Sequence, residues 1–322
     1  MGLNLVYLER THVMRNPIGA LGLFAALLLA PLSPARGQTP ADEASQLQSL
    51  VAKNAPAIVT VQLVLKTEVK MGGQAHDSEE RTGLEGVVVS PDGLIMISDA
   101  QLNPKRLEEM FGGLAAAGMD MKTTPTDIKV VVEREEKEYD AFLAATDTNL
   151  GLAFLKIEGL GDRKLAAVDF TNTAAPAIGQ PIVLVTRLDK GFDYAPFFKT
   201  ARISGEVAKP RQAWLMDQDL PDLGLPVFSP AGEVVGVLTT LTSGIKPESP
   251  DLSMGIGMMM RMFGGGGGQS LFHVFVVPGQ PIVTAIAEAR QRAVVVAAER
   301  AKAKASAPST PAKPGGGKPA KP

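Results

Sequence analysis

The chain of 322 residues has no cysteine and only three histidines, His12, His76 and His273. Without cysteine it forms neither a disulfide nor a thiolate metal site, and no lipid is attached through a cysteine. The histidines are far apart, so no His-x-x-x-His pair indicates zinc. Carboxylates with metal-ligand spacing are also missing. We therefore expect no bound metal and no cofactor.

The first 37 residues have the pattern of an export signal. Basic residues precede the apolar run Ile18 to Ala30, and the small residues Ala35 and Gly37 suit cleavage before Gln38. Thirteen apolar residues are too few to span a bilayer. We predict a cleaved signal peptide over residues 1–37 and a periplasmic or secreted protein. An uncleaved membrane anchor is the alternative.

Cleavage makes the chain more acidic. Residues 1–37 contain three basic residues and one acidic residue, so the formal net charge changes from −2 to −4. A mildly acidic protein has no broad electrostatic attraction for nucleic acid. We expect no nucleic-acid partner, and no integral membrane span after signal cleavage.

Period-two alternation of apolar residues recurs along the chain. It is clearest over Ala57–Leu65, which predicts a strand with one buried side. Further strands are predicted at residues 86–90, 94–98, 128–133, 138–145, 151–158, 181–188, 199–207, 225–229, 233–241 and 273–277. Helical patterns occur only at residues 45–54, 104–118 and 281–303. Many short strands with few helices indicate an all-β barrel or sandwich.

Two segments show no periodicity. Residues 254–270 are rich in Met and Gly, which favours a flexible apolar loop over a thioether site for Cu(I). Residues 306–322 consist of Pro, Gly, Lys, Ala, Ser and Thr and are predicted to be a disordered basic tail.

Seven segments, taken in order, resemble the trypsin-like serine protease domain of the HtrA/DegP type. They are residues 50–65, 86–98, 128–159, 178–185, 201–207, 224–238 and 274–283. The resemblance implies an all-β domain over residues 38–278 that consists of two six-stranded antiparallel β-barrels. A C-terminal helix at residues 279–305 and the tail at 306–322 would follow. The family carries a Ser, His and Asp triad in the crevice between its barrels.

The triad positions of this chain do not hold triad residues. The matching residues are Ala100 for the histidine (Gln101 if the turn is one residue longer), Gly151 for the aspartate and Leu223 for the serine. Pro221 matches the glycine whose N–H helps to form the oxyanion hole, and proline has no N–H. The resemblance therefore implies a pseudoprotease.

No other residues suggest a replacement triad. His76 is predicted in a polar loop after the first strand, and His273 at the edge of the last strand. Ser229 is predicted only to pack or to cap a hairpin turn. The pairs Glu79-Glu80 and Glu135-Glu136 are interpreted as solvated loops and hairpin tips, since paired-carboxylate hydrolysis needs two carboxyls that face each other across a cleft.

Residues 101–127 form an insertion that is longer than the family needs at this place. Within it, Pro104–Leu114 is predicted to be a short helix beside the mouth of the crevice. It would act either as a partner surface or lid, or as an inert insertion.

These observations predict an exported, inactive homologue of HtrA-type proteases that binds peptides or envelope proteins as a scaffold or regulator. Strand addition to an exposed sheet edge holds a peptide through main-chain hydrogen bonds and needs no triad. Two alternatives remain open. One is an active serine endopeptidase that uses residues not recognised above; the other is a structural envelope component held by the Ala-rich helix and basic tail.

Overall fold

The structure is a computed structural model that describes residues 40–71, 74–100, 102, 119–241 and 273–306. In chain order the elements are α1 (Pro40–Asn54), a 3-10 helix (Ala55–Ala57), β1 (Ile58–Met71), β2 (Gln74–Ser90), β3 (Leu94–Ser98), β4 (Met119–Val132), β5 (Glu138–Asp147), β6 (Leu152–Ile157), β7 (Pro181–Arg187), a 3-10 helix (Lys190–Phe192), β8 (Pro196–Val207), β9 (Ala213–Met216), β10 (Pro226–Phe228), β11 (Val234–Thr240), β12 (Val274–Pro278) and α2 (Gly279–Ser306).

The strands close into two antiparallel barrels of six strands each. The first has the order β1-β2-β3-β6-β5-β4, and the second has the order β10-β11-β12-β9-β8-β7. Both lie in one compact unit of the chain, which begins at Glu43. The predicted all-β fold with two six-stranded barrels and a C-terminal helix is confirmed.

The alternation of apolar residues places the core. In β5 the residues alternate between exposed and buried, as expected for a barrel wall with one face in solvent. In β3 every residue is buried, and in β6 all but one, so these strands are covered on both faces. One hydrophobic cluster runs through both barrels and includes Phe154 and Phe228, which are almost fully buried.

Three strands of the first barrel are longer than the sequence predicts. β1 continues to Met71, β2 already begins at Gln74, and β4 already begins at Met119. β3 pairs with β2 only from Val87, and β5 pairs with β4 only from Lys129. Residues 65–71, 74–84 and 119–127 therefore extend past the barrel as a three-stranded sheet with β1 in the middle, here called the ribbon.

The ribbon overturns two predictions. His76 and the pair Glu79-Glu80 lie in β2, and not in loops. The outer strands of the ribbon are held by main-chain pairing with its middle strand, β1. The side chains of residues 77–81 are exposed and need no apolar alternation, so the pattern that identifies buried strands is missing there.

Three further differences concern single segments. β9 was not predicted, because four residues are too few to show a period. Residues 119–127 of the predicted insertion belong to β4, while Pro104–Leu114 lies outside the described residues. The predicted signal, the loop at residues 254–270 and most of the basic tail lie outside them as well.

Helix α2 packs against strands β5, β6 and β11. Its buried side is apolar and consists of Ile282, Ala285, Ile286, Ala289 and Ala293. Near its end, Arg300 Nε and Lys304 Nζ lie 3.1 Å and 3.2 Å from the two carboxylate oxygens of Glu158. No helix in the described ranges combines the length and apolar character that a membrane crossing needs.

We expect the last turns of α2 to loosen in acid. Burial alone raises the pKa of Glu158, but hydrogen bonds from Arg300 and Lys304 outweigh it and lower the pKa below the ordinary 4.5. A lowered pKa in the folded state stabilises the fold above pH 4.5, and this contribution is lost as the pH falls through the lowered value. Amide hydrogen exchange of residues 297–306, corrected for the intrinsic rate, should therefore accelerate as the pH falls through the lowered pKa of Glu158.

The variant Glu158→Gln should show the fast exchange at every pH. Glu288→Gln is the matched control. Glu288 lies on α2 itself and is exposed, and this variant should keep the pH dependence of the unmodified chain. An unchanged pH dependence in Glu158→Gln would show that this carboxylate does not hold the helix end.

Candidate functional site

The turn after β3 and the turn before β6 lie side by side. The Asp99 N–H donates to the carbonyl oxygen of Gly151 at 3.0 Å. The next residue is Ala100, whose N–H donates to Ser98 Oγ at 3.3 Å. Two of the three positions that match the triad, Ala100 and Gly151, are thus brought to one place, while Gln101 lies outside the described residues.

The turn before β6 is also tied to the second barrel. Asp147 Oδ1 accepts a hydrogen bond from the Leu150 N–H at 2.9 Å, so this aspartate stabilises the turn. Thr239 Oγ1 in β11 donates to the carbonyl oxygen of Leu150 at 2.9 Å, and both groups are buried. Gly151 therefore lies where the two barrels meet.

The third position, Leu223, lies in a tight turn just before β10. The Leu223 N–H donates to the carbonyl oxygen of Pro221 at 2.8 Å. After the turn, the Gly224 N–H donates to the carbonyl oxygen of Leu238 at 2.8 Å. The Leu238 N–H donates to the carbonyl oxygen of Leu225 at 3.0 Å. The turn is closed on itself and fixed to β11.

This turn presses on the end of β3 through Gly224. A Cβ placed on Gly224 would lie 2.7 Å from the carbonyl carbon of Ile97 and closer still to the backbone nitrogen of Ser98. The residue has a φ of +86°, which favours glycine. Because Ser98 precedes the turn that carries Ala100, this contact brings Leu223 to the same region as Ala100 and Gly151.

Leu223 and Leu225 are apolar and Ala100 is small, while Ser98 and the buried carboxylate Asp99 directly precede Ala100. Leu225 is fully buried, while Leu223 and Ala100 are partly exposed. None of the three matching positions supplies a hydroxyl, an imidazole or a carboxylate. Pro221 has no N–H, and the N–H of Leu223 donates inside the turn.

The charged groups nearest to Leu223 are paired with each other. Asp222 Oδ2 lies 2.6 Å from Lys199 Nζ of β8, and its other oxygen lies 3.2 Å from Thr186 Oγ1 of β7. The Asp222 side chain is only 10% exposed and that of Lys199 31%, so the ion pair is partly buried. It fixes the turn to the second barrel, and sequence reasoning missed it.

Glu85 of β2, in the first barrel, is half-buried, and the charges of Asp222 and Lys199 act on it. Burial raises the pKa of Glu85, a backbone hydrogen bond lowers it, and the charge of Asp222 raises it again while that of Lys199 lowers it. The net effect is a raised pKa. Glu85 is therefore close enough to the Lys199–Asp222 pair to interact with it.

The other candidates lie outside this region or have structural roles. Ser229 Oγ accepts from the Glu233 N–H at 3.2 Å and caps the β10–β11 turn, as predicted. His273 precedes β12, is exposed, and packs edge-on against Phe275. Glu135 and Glu136 lie in the connection between β4 and β5. Glu136 is exposed, but Glu135 is half-buried and pairs with Arg163, which follows β6, so only Glu136 is solvated as expected. Over the described part of the chain, no three His, Asp or Glu side chains converge as metal ligands.

Comparison with known proteins adds little to this picture. No protein-family model matches the sequence, and no curated protein matches it. Among solved structures, the chain is similar to the MamO protease domain from Magnetospirillum magneticum in its apo form, with 17% identity and a TM-score of 0.42. The match covers 72% of this chain and 97% of that one. The description of a protease domain applies to that protein, and the barrel architecture given above rests on this chain's own strand pairing.

Proposed function

We propose that this chain is a catalytically inactive homologue of HtrA-type, trypsin-like serine proteases, and that it acts by binding peptides or other envelope proteins as a scaffold or regulator. The proposal includes export through the signal at residues 1–37 and a periplasmic or secreted location. It rests on the resemblance along the sequence together with the geometry of the turn at Leu223.

The observation that carries the inactive part is the main chain of this turn. The oxyanion hole of a serine protease uses two N–H groups, one from the nucleophile and one from the glycine two residues before it. Here the second position is Pro221, and the N–H of Leu223 donates to the carbonyl oxygen of Pro221. Removal of one such donor costs about 100- to 1,000-fold in rate. The loss therefore affects the backbone as well as the three side chains.

We expect no reaction of the purified mature protein with a fluorophosphonate probe and no cleavage of casein. The variant Leu223→Ser should stay equally silent, because it restores a hydroxyl without a base and without N–H donors for the oxyanion. Labelling is read by mass spectrometry beside an active serine protease as the positive control.

Stable labelling that a single Ser substitution abolishes would identify an active serine endopeptidase and overturn the inactive assignment. Labelling of Leu223→Ser alone would show that the turn still offers a working oxyanion site. The hydrogen bond from the Leu223 N–H to Pro221 would then not prevent that N–H from serving as a donor.

A further inference from the structure

The ribbon leaves two strand edges without a neighbour among the described residues. In β2, residues 74–86 pair with β1 alone, and β3 takes over only from Val87. In β4, residues 119–128 pair with β1 alone, and β5 takes over only from Lys129. Closed barrels have no edges, so the ribbon is where this fold exposes main-chain donors and acceptors.

The β4 edge carries features that hinder addition of another strand. Pro125 lacks an N–H, and the register with β1 shifts between Val64 and Leu65. The Thr126 hydroxyl donates to the carbonyl oxygen of Val64 at 3.1 Å, next to this irregularity. Proline and bulges are common means by which proteins protect a sheet edge.

The β2 edge has neither of these features. Its register with β1 runs without a shift from the pair of Val87 with Ile58 to the pair of Gln74 with Met71. No proline occurs in residues 74–86. At about 3.3 Å per residue, this stretch offers a continuous edge that is long enough for an extended segment of ten residues.

The β2 edge is exposed, and over residues 77–81 it carries three carboxylates against one basic side chain, Arg81. Asp77, Glu79 and Glu80 are all exposed, and Asp77 is paired with Lys66 at 3.3 Å. No ion pair within the described ranges involves Glu79 or Glu80. Because neighbouring residues of a strand point to opposite faces, these two glutamates place one carboxylate on each face of the edge.

We propose that the β2 edge, residues 74–84, binds an extended lysine- or arginine-rich segment of another polypeptide as an added strand. Main-chain hydrogen bonds supply the pairing, and Glu79 and Glu80 select a basic partner on either face. The inference deepens the proposed binding function and rests on it, since it names a partner class and a place for it away from the turn at Leu223.

The test uses the full mature chain and a capped ten-residue peptide in which lysine alternates with threonine and valine. We expect the peptide to bind and to slow amide hydrogen exchange over residues 74–86. In E79K/E80K its affinity should fall by about tenfold or more, since attractive cross-strand pairs become repulsive. The matched control E136K/E299K makes the same charge change at two exposed glutamates elsewhere and should lose far less.

A peptide of the same charge, N-methylated at alternate residues, separates strand addition from simple attraction of charges. It should fail to bind in at least one methylation register. Equal binding of the methylated peptides, equal losses in both double variants, or no protection of residues 74–86 would each overturn the proposal. Peptide binding at the β2 edge and fluorophosphonate labelling are separate measurements. The proposal for the edge can therefore fail while the inactive assignment holds, and the reverse.

Discussion

Gly224→Ala should lower the free energy of unfolding by about 3 kcal/mol or more, the largest loss that we expect from a single methyl group near the candidate site. A non-glycine residue at this positive φ costs about 1–2 kcal/mol. The added Cβ also meets the main chain of Ile97 and Ser98, which cannot move as a side chain can. Such overpacking adds about 1–3 kcal/mol.

Gly232→Ala is the matched control for this prediction. Its φ is +87°, but a Cβ there meets only Leu50 Cδ1 at 3.9 Å, an ordinary contact. This variant should therefore lose only the conformational part, about 1–2 kcal/mol. Urea denaturation followed by fluorescence of Trp214, the single and buried tryptophan, measures both. Equal losses in the two variants would show that the Leu223 turn does not press on β3.

The sequence predicts only part of the candidate site. The segment before β10 predicts a turn, and matching it to the family motif predicts which residues occupy the triad positions. The hydrogen bond from Asp99 to Gly151 and the contact at Gly224 place these positions in one region. It does not follow from residue types that the Leu223 N–H is used inside the turn, because this depends on the direction of a single peptide group.

The remaining gaps have the same origin, since they concern contacts without a local pattern. Lys199 and Asp222 are far apart in sequence and each looks like an ordinary surface charge, so their partly buried pair has no sequence signal. The ribbon is polar, so apolar alternation gives only the barrel portion of β1 and β2. By contrast, the strands with a buried face, such as β3 and β11, were placed to within about a residue.

Arg187 is the clearest example of a contact that has no local pattern. It closes β7 and is buried, and its guanidinium donates to three main-chain carbonyl oxygens of other segments. Nε lies 2.9 Å from the oxygen of Ile58, the first residue of β1, and Nη2 lies 2.6 Å from that of Ala55. Nη1 lies 3.0 Å from that of Tyr194. The second barrel is thereby joined to the entry of the first.

Arg187→Met should therefore lower the free energy of unfolding by about 3 kcal/mol. Hydrogen bonds to a charged group contribute about 1.5–3 kcal/mol each, and the carbonyls of Ala55, Ile58 and Tyr194 would lose theirs while buried. Part of this loss is offset, because a guanidinium without a carboxylate partner is costly to bury and the variant removes that cost. The same burial lowers the pKa of Arg187.

Arg187→Lys should recover only part of the loss, because one ammonium cannot reproduce the planar fork that reaches three carbonyls. Arg202→Met is the control: Arg202 also donates to a main-chain oxygen, that of Gly179 at 3.0 Å, but it is exposed. Exposed contacts of this kind change stability by about 0.5 kcal/mol or less. If Arg187→Met and Arg202→Met gave the same urea midpoint, the buried guanidinium would not join the barrels, and their contact would depend on the Leu150–Thr239 bond and the Gly224 turn instead.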